Sequence, residues 1–262
     1  MTSMLKSPEE IKILREGGRQ LAAILVKVAA AAKPGVSTLG LDRLAESLIF
    51  SCEGVPVFKG YQPKGAVSSY PASLCVSIND ELVHAIPRKS KILKEGDVVG
   101  LDIGMRWRGL VTDMAVTVGV GKISRDAERL IRATKEALDI GIFTVRPGAK
   151  LGDVGHAIED RLKKDKLGVI RDLAGHGVGY ELHEDPLVPN YGSPGMGIEL
   201  KEGMVIAIEP MATLGDWRVT LGEDGWTFRT SDGSLAAHFE HTVVVTKDGA
   251  EVLTKVPIHT SK

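Results

Sequence analysis

Leu93-Lys94-Glu95-Gly96-Asp97-Val98-Val99-Gly100-Leu101-Asp102 and Leu200-Lys201-Glu202-Gly203-Met204-Val205-Ile206-Ala207-Ile208-Glu209 are two copies of one pattern. In each, an identical Leu-Lys-Glu-Gly leads into an apolar strand ending in a carboxylate, so Asp102 corresponds to Glu209. Upstream, Lys33-Pro34-Gly35 before a helix starting near Leu39 matches Arg146-Pro147-Gly148 before a helix starting near Leu151. Downstream, Asp113 followed by Met-Ala-Val-Thr-Val matches Glu240 followed by His-Thr-Val-Val-Val. One four-residue match carries little weight, but agreement of all of them in the same order indicates a duplicated helix-helix-strand unit. No linker-like composition falls near residue 124, so a single catalytic domain over 1–262 is expected, with pseudo-repeat halves of about 1–124 and 125–262.

The other elements follow from local signals. Ser7 can cap a helix with Pro8 at its first position and Glu10 three residues after the cap. Ile11, Leu14, Gly18, Leu21, Leu25, Val28 and Ala32 then recur at helical spacing until Lys33-Pro34-Gly35. A second helix is predicted over 39–50, and a Gly/Pro/Ser-rich stretch runs from 54 to 73. Strands are predicted over 74–78, 98–103 and 113–120, helices over 125–145 and 153–166, and strands over 204–209 and 241–246 with turn-rich sequence between them.

Composition narrows the class. The 262 residues are 43% hydrophobic and 26% charged, with 34 acidic against 33 basic side chains and a net charge of −1, which excludes a disordered chain and argues against bulk nucleic-acid binding. The longest apolar run, Leu21 to Ala32, is interrupted by Lys27 and is too short to span a membrane. Glu9, Glu10, Lys12, Arg15 and Glu16 stand where a secretion signal would need apolar residues, so a cytoplasmic protein is expected. Cys52 and Cys75 suit that compartment, and a disulfide between them is not needed.

A carboxylate ending an apolar strand is costly to bury without a cation or donor. A lone one is ordinarily a surface turn acid; symmetric placement of Asp102, Asp113, Glu209 and Glu240 makes a divalent metal the natural counter-charge. Gly175-His176-Gly177-Val178-Gly179 would add His176 as nitrogen ligand, its glycines allowing close approach and positive φ. Oxygen donors plus imidazole, without thiolate, suit Mn, Fe, Co or Zn, and bridging carboxylates suggest two ions and metal-assisted hydrolysis. His84 and His183 each precede a proline by three residues, hence lie on loops, and next to a metal centre read as donors to substrate. His156, His238, His241 and His259 read as structural, and Tyr70 and Trp226 as core aromatics or site walls alike. Gly175 to Gly179 is not a phosphate loop, since no Gly-Lys-Ser/Thr follows.

Ser77-Ile78-Asn79 with His84, Asp102 and Asp113, Gly175 to Gly179, His183, Ile208-Glu209-Pro210 and Phe239-Glu240-His241-Thr242 together resemble the bacterial type I methionine aminopeptidases over nearly the whole chain. The resemblance implies an α+β pita-bread fold, two pseudo-symmetric halves with helices outside a curved antiparallel sheet. It implies that Asp102 binds one ion, His176 and Glu209 the other, and that Asp113 and Glu240 bridge both. It also implies that Glu209 handles the proton of the attacking water, that His183 holds the scissile carbonyl and that His84 contacts substrate near the peptide nitrogen. Tyr70, Cys75, Leu182 and Trp226 would line the methionine pocket. Relatives commonly carry phenylalanine at the place of Leu182 and cysteine at that of Phe58, and the segment from Tyr61 to Tyr70 looks longer here, which bears on pocket shape.

Two other readings compete with this one. Prolidase and aminopeptidase P share the five-ligand pattern but usually carry an added N-terminal domain, for which this chain has no room before its first helix. A non-enzymatic binding module of the same fold would have lost ligands, whereas all five are present. The partners expected are nascent polypeptide N-termini for a monomeric enzyme without membrane contact. The basic run Arg88, Lys89, Lys91 and Lys94 reads first as a solvated loop and, for an enzyme acting on nascent chains, as the candidate for a contact with ribosomal RNA.

Overall fold

The computed structural model describes residues 4–65 and 67–255; His259 lies outside them. Ser7 Oγ accepts the Glu10 amide (3.3 Å) and the Glu10 carboxylate accepts the Ser7 amide (2.7 Å), so the first helix, α1 (Pro8–Ala31), starts at the expected capping box. Ser37 and Ser124 cap α2 (Thr38–Ser51) and α3 (Arg125–Thr144) by the hydroxyl half of that arrangement alone, accepting the amides of Gly40 and Ala127. At the start of α4 (Leu151–Lys164), Asp153 accepts the Lys150 amide at 2.8 Å.

Among the described residues the main sheet has nine strands, all paired antiparallel: β1 (Val55–Pro56), β4 (Val98–Trp107), β5 (Leu110–Gly119), β14 (Glu240–Thr246), β9 (Val205–Ile208), β7 (Ala174–Gly177) and β8 (Glu184–Pro189) in that order, with β2 (Cys75–Ile78) on β4 and β15 (Gly249–Val252) on β14. Two three-stranded sheets complete it: β13 (Ala236–His238), β10 (Met211–Thr213) and β6 (Gly168–Val169), then β11 (Val219–Leu221), β12 (Phe228–Thr230) and β3 (Glu81–Val83).

The duplication read from the repeats is visible as repeated hydrogen bonds. Gly35 N donates to Leu93 O in the first half and Gly148 N to Leu200 O in the second, both at 2.9 Å. Leu93 N returns to Val36 O and Leu200 N to Ala149 O, and the isolated bridges Ser37↔Ile92 and Lys150↔Glu199 sit at equivalent places. The two halves meet at β5 and β14, where Glu240 pairs with Ala115.

Strand alternation then sorts the faces. Val99, Leu101 and Ile103 of β4 pack with Leu21, Leu25 and Val28 of α1, and Ile206, Ile208 and Val243 pack with Leu130 and Ile158 of α3 and α4. The helices therefore cover one face of the curled sheet. Val111, Val205, Ala207 and Val244 join a separate cluster on the other face. By the same alternation, Asp102, Asp113, Glu209 and Glu240 share that second face.

Two expectations need correction. Asp102 does not end its strand but lies inside β4, and the glycines around His176 are not generally at positive φ. His176 lies on a strand, in a β7–β8 hairpin with Gly177 opposite Glu184. Gly175 and Gly177 are not among the residues at positive φ, and of the three glycines in this segment only Gly179 is, at +143°. The first two are glycines because a Cβ would lie 2.3 Å from Ala207 O and 2.2 Å from Asp185 O. Cys52 and Cys75 are both free thiols. No helix among the described residues is long and apolar enough to cross a membrane.

Candidate active site

Sheet register brings the four acids together. Asp102 and Glu240 pair with Ala115 from opposite sides, and Asp113 donates its amide to Thr242 Oγ1 (2.9 Å) one step along. Glu209 follows the end of β9, and His176 projects from β7, next to it in the sheet. His176 Nε2 stands 3.7 Å from Glu209 Oε1 and 4.0 Å from Glu240 Oε1. Asp113, His176 and Glu240 present ligand atoms all within 4.8 Å of one another. His176 Nδ1 is 2.9 Å from Gly177 O, so Nδ1 carries the proton and Nε2 turns its lone pair to the carboxylates, the tautomer a metal ligand needs.

The electrostatics favour a cation among these groups. Burial first, and then mutual repulsion, raise Asp102 and Glu240 well above the carboxylate range. Asp113 is pushed up to about 8 by burial and the charge of Glu209, and Glu209 to about 8 by burial. His176 goes the other way, to about 3, through burial and then the neighbouring His183. Its contact with Glu209 is therefore between neutral groups. Asp102 Oδ1 and Glu240 Oε1 are buried without a hydrogen-bond partner among the described residues. Buried oxygens left without donors, beside an imidazole lone pair and no thiolate ligand, fit a divalent metal.

These groups form the floor of a cavity of about 400 Å³, lined by every residue singled out from the sequence as ligand, donor or pocket wall. The walls are apolar and firmly placed. Tyr70 is buried and donates its hydroxyl to Ala85 O (3.0 Å); the Trp226 ring meets it edge-on at 5.2 Å, and Trp226 Nε1 donates to Ser68 Oγ (3.4 Å). Cys75 pairs with Asp102 in the ladder, and burial, then Asp102, raise its thiol, so it stays protonated. Leu182 and Phe58 are buried in the same cluster, and Phe58 meets Tyr70 edge-on at 6.5 Å.

His84 follows β3 at φ +57°, an uncommon conformation for a side-chain-bearing residue, with its ring 5.8 Å from Phe228. Burial, then His183 and His238, lower it to about 4. His183 stands at the open side of the cavity, its ring 4.4 Å from that of His176, and burial pushes it down to about 4. Tyr61, not singled out from the sequence, places its hydroxyl 2.6 Å from His183 Nδ1. A hydroxyl donating there leaves His183 Nε2–H as a donor.

His238, structural on the sequence, is not remote from the site. It is buried on β13 with Nε2 3.2 Å from Glu209 Oε2 and no other partner for that nitrogen among the described residues. Thr117 fixes its backbone, donating Oγ1 to His238 O (2.7 Å) and accepting its amide (2.9 Å). The signal was present in the sequence, since His238 stands two residues before Glu240. His156 lies in α4, and His241 bonds Thr254 Oγ1 (3.0 Å) outside the cavity.

Fold and site together define a metal-dependent peptidase. Residues 12–247 match the profile of metallopeptidase family M24. A methionine aminopeptidase of Clostridium acetobutylicum is 44% identical over 96% of this chain and 98% of its own. The crystal structure of a methionine aminopeptidase from Thermotoga maritima superposes with a TM-score of 0.92 at 45% identity, covering 96% of this chain and 98% of that one. A Xaa-Pro dipeptidase from Bacillus anthracis shares the fold at 24% identity and a TM-score of 0.75, this chain covering 62% of its length. The chain belongs to metallopeptidase family M24 and, within it, to the methionine aminopeptidases.

Proposed function

We propose that this chain removes the initiator methionine from nascent proteins and peptides whose second residue is small, acting in the cytoplasm with two divalent ions of Co, Mn, Fe or Zn. It is a hydrolytic aminopeptidase that uses divalent metal. The observation that carries the reading is the convergence of three buried carboxylates, the half-buried Glu209 and one imidazole on an apolar cavity, with buried oxygens that lack donors among the described residues.

Asp102, Asp113, His176, Glu209 and Glu240 would hold the ions, which when bound supply charge to polarise the scissile carbonyl and to acidify water. Tyr70, Cys75, Leu182 and Trp226 surround the thioether of methionine with apolar and aromatic surface and no buried charge. Glu209 takes the proton of the attacking water. His183 Nε2–H donates to the carbonyl oxygen as charge develops there, and His84 meets the peptide nitrogen. The next residue of the substrate is confined near His84 and the acids, so Gly, Ala, Ser and Thr fit and Leu, Lys and Glu do not.

Release of methionine from Met-Ala-Ser, abolished by chelator and absent with Xaa-Pro peptides, is the expected assay result; cleavage of Xaa-Pro peptides without methionine release would favour the prolidase reading. The same proposal has a monomer meeting nascent chains at the ribosome. Lys91 is turned onto the buried Glu81, and Arg88 is 3.5 Å from Asp224, so Lys89 and Lys94, with Arg88, are what remains exposed for RNA.

A further inference from the structure

The turn carrying Leu182 and His183 is held from outside the cavity by a buried ion pair that no step above uses. Lys6, in the segment before α1, has a side chain 0% exposed, and its Nζ lies 2.7 Å from Glu184 Oε2, on a side chain 7% exposed. Lys6 N donates to Gly203 O (2.8 Å) and Leu5 bridges Met204, which fastens the segment beside the start of β9. Lys6 Nζ also sits 4.2 Å from the Tyr180 ring centroid. At Gly179 a Cβ would come within 2.4 Å of Lys6 Cε, so the turn and the lysine are built against each other.

Glu184 links this lysine to the site. Its Oε1 accepts the amides of both Tyr180 and Glu181, closing the turn between Gly177 and Glu184, and the next residue back is His183. Other holds on the turn are Val111 N donating to Gly179 O, Arg106 Nη1 to Tyr180 O (2.8 Å), Arg106 Nη2 to Glu181 Oε2 (3.3 Å) and, on the His183 ring itself, the Tyr61 hydroxyl at 2.6 Å; none of these carries a counter-charge to Glu184. A carboxylate this deep needs a counter-charge to remain an acceptor for both amides.

We propose that Lys6 is a positioning residue of the active site: through Glu184 it holds turn 178–183 in the arrangement that aims Leu182 and His183 into the cavity. The inference rests on the reading of His183 as donor to the scissile carbonyl. A donor displaced by ~1 Å can lose ~10²-fold in rate, so a small relaxation of the turn is enough to be seen.

The test uses the full-length, metal-loaded enzyme with Met-Ala-Ser as substrate. Lys6→Met is expected to lower kcat by about 10- to 100-fold with bound metal per chain unchanged. In a His183→Ala background the same substitution should change kcat by less than about 2-fold, because sites acting through one group are not additive. Lys6→Met with Glu184→Gln, a neutral pair of similar shape, should return kcat to within about 3-fold of the parent, as replaced buried ion pairs often allow. If Lys6→Met does not fold, Glu184→Gln alone carries the same comparison across the two backgrounds. Equal effects in both backgrounds, an unchanged kcat, or no recovery in the double variant would overturn the proposal. A His183→Ala enzyme with parental kcat would instead overturn the reading of His183 on which it rests.

Discussion

Asp113 and Glu240 lie on the adjacent strands β5 and β14, where burial and then neighbouring carboxylates, Glu209 for the first and Asp113 for the second, disfavour their ionised forms. Replacing either by alanine takes away a donor that both halves of the site share. Metal content measured by elemental analysis and turnover of Met-Ala-Ser should collapse together; parental turnover in metal-stripped Asp113→Ala would contradict the site. His183→Ala separates binding from chemistry. It should retain bound metal while kcat falls by ~10²- to 10³-fold, the usual loss for one donor to a developing oxyanion, and His84→Ala should behave similarly. A large drop in metal content in either would place that histidine among the ligands. At this scale the candidate site residues that a motif carried all line one cavity. The sequence reading passed over Tyr61 and His238, whose relevance depends on a partner far along the chain, His183 and Glu209 respectively.

At the scale of elements, the β7–β8 hairpin shows why local reading ran out. Four residues with two glycines carry no strand propensity, and the hairpin exists because β9 is there to pair with it. Its glycines answer to backbone crowding rather than to turn geometry. Gly177→Ala should therefore be disproportionately harmful, since its Cβ would meet Asp185 O, a main-chain atom of the paired strand, at 2.2 Å. The expected cost is about 1–3 kcal/mol in chemical denaturation, together with weakened metal binding through the displaced His176. A Gly177→Ala protein with parental stability and metal affinity would show that the hairpin gives way freely.

At the scale of the whole molecule, the buried charges couple metal, pH and stability. Asp113 and Glu209, pushed up to about 8, keep protons in the folded metal-free chain that the unfolded chain releases at its ordinary carboxylate pKa. The folded state then binds more protons, and stability falls as pH rises through that window. His84, His176, His183 and His238, lowered to about 3 or 4, act in the opposite sense, but only below their ordinary value of 6.5. Between about 6.5 and 8 the carboxylates alone set the slope. The Tm of chelated protein should fall across that interval, and added Mn²⁺ should raise Tm more at pH 8 than at pH 6.5; a flat profile in the chelated protein would argue against it. The exposed basic run is tested separately. Co-sedimentation with ribosomes should weaken steeply with salt and be lost when Arg88, Lys89 and Lys94 become Glu; binding unchanged by those substitutions would remove the contact.

The sequence alone determined the duplication, the helices with the cap of the first, the long strands and the acids they carry, because each rests on contacts within a few residues or on a repeat that can be compared with itself. Only the tertiary structure decided which face of the sheet those acids share, that His176 lies on a strand, that His238 reaches Glu209 and that Lys6 grips the turn before Glu184. Those arrangements depend on sheet register and on pairs of residues up to 178 positions apart, and no local propensity encodes a partner at that distance. The physical reason is burial: a charge withdrawn from water must find its counter-charge or donor wherever the packed chain brings one, and packing, not proximity in sequence, makes that choice.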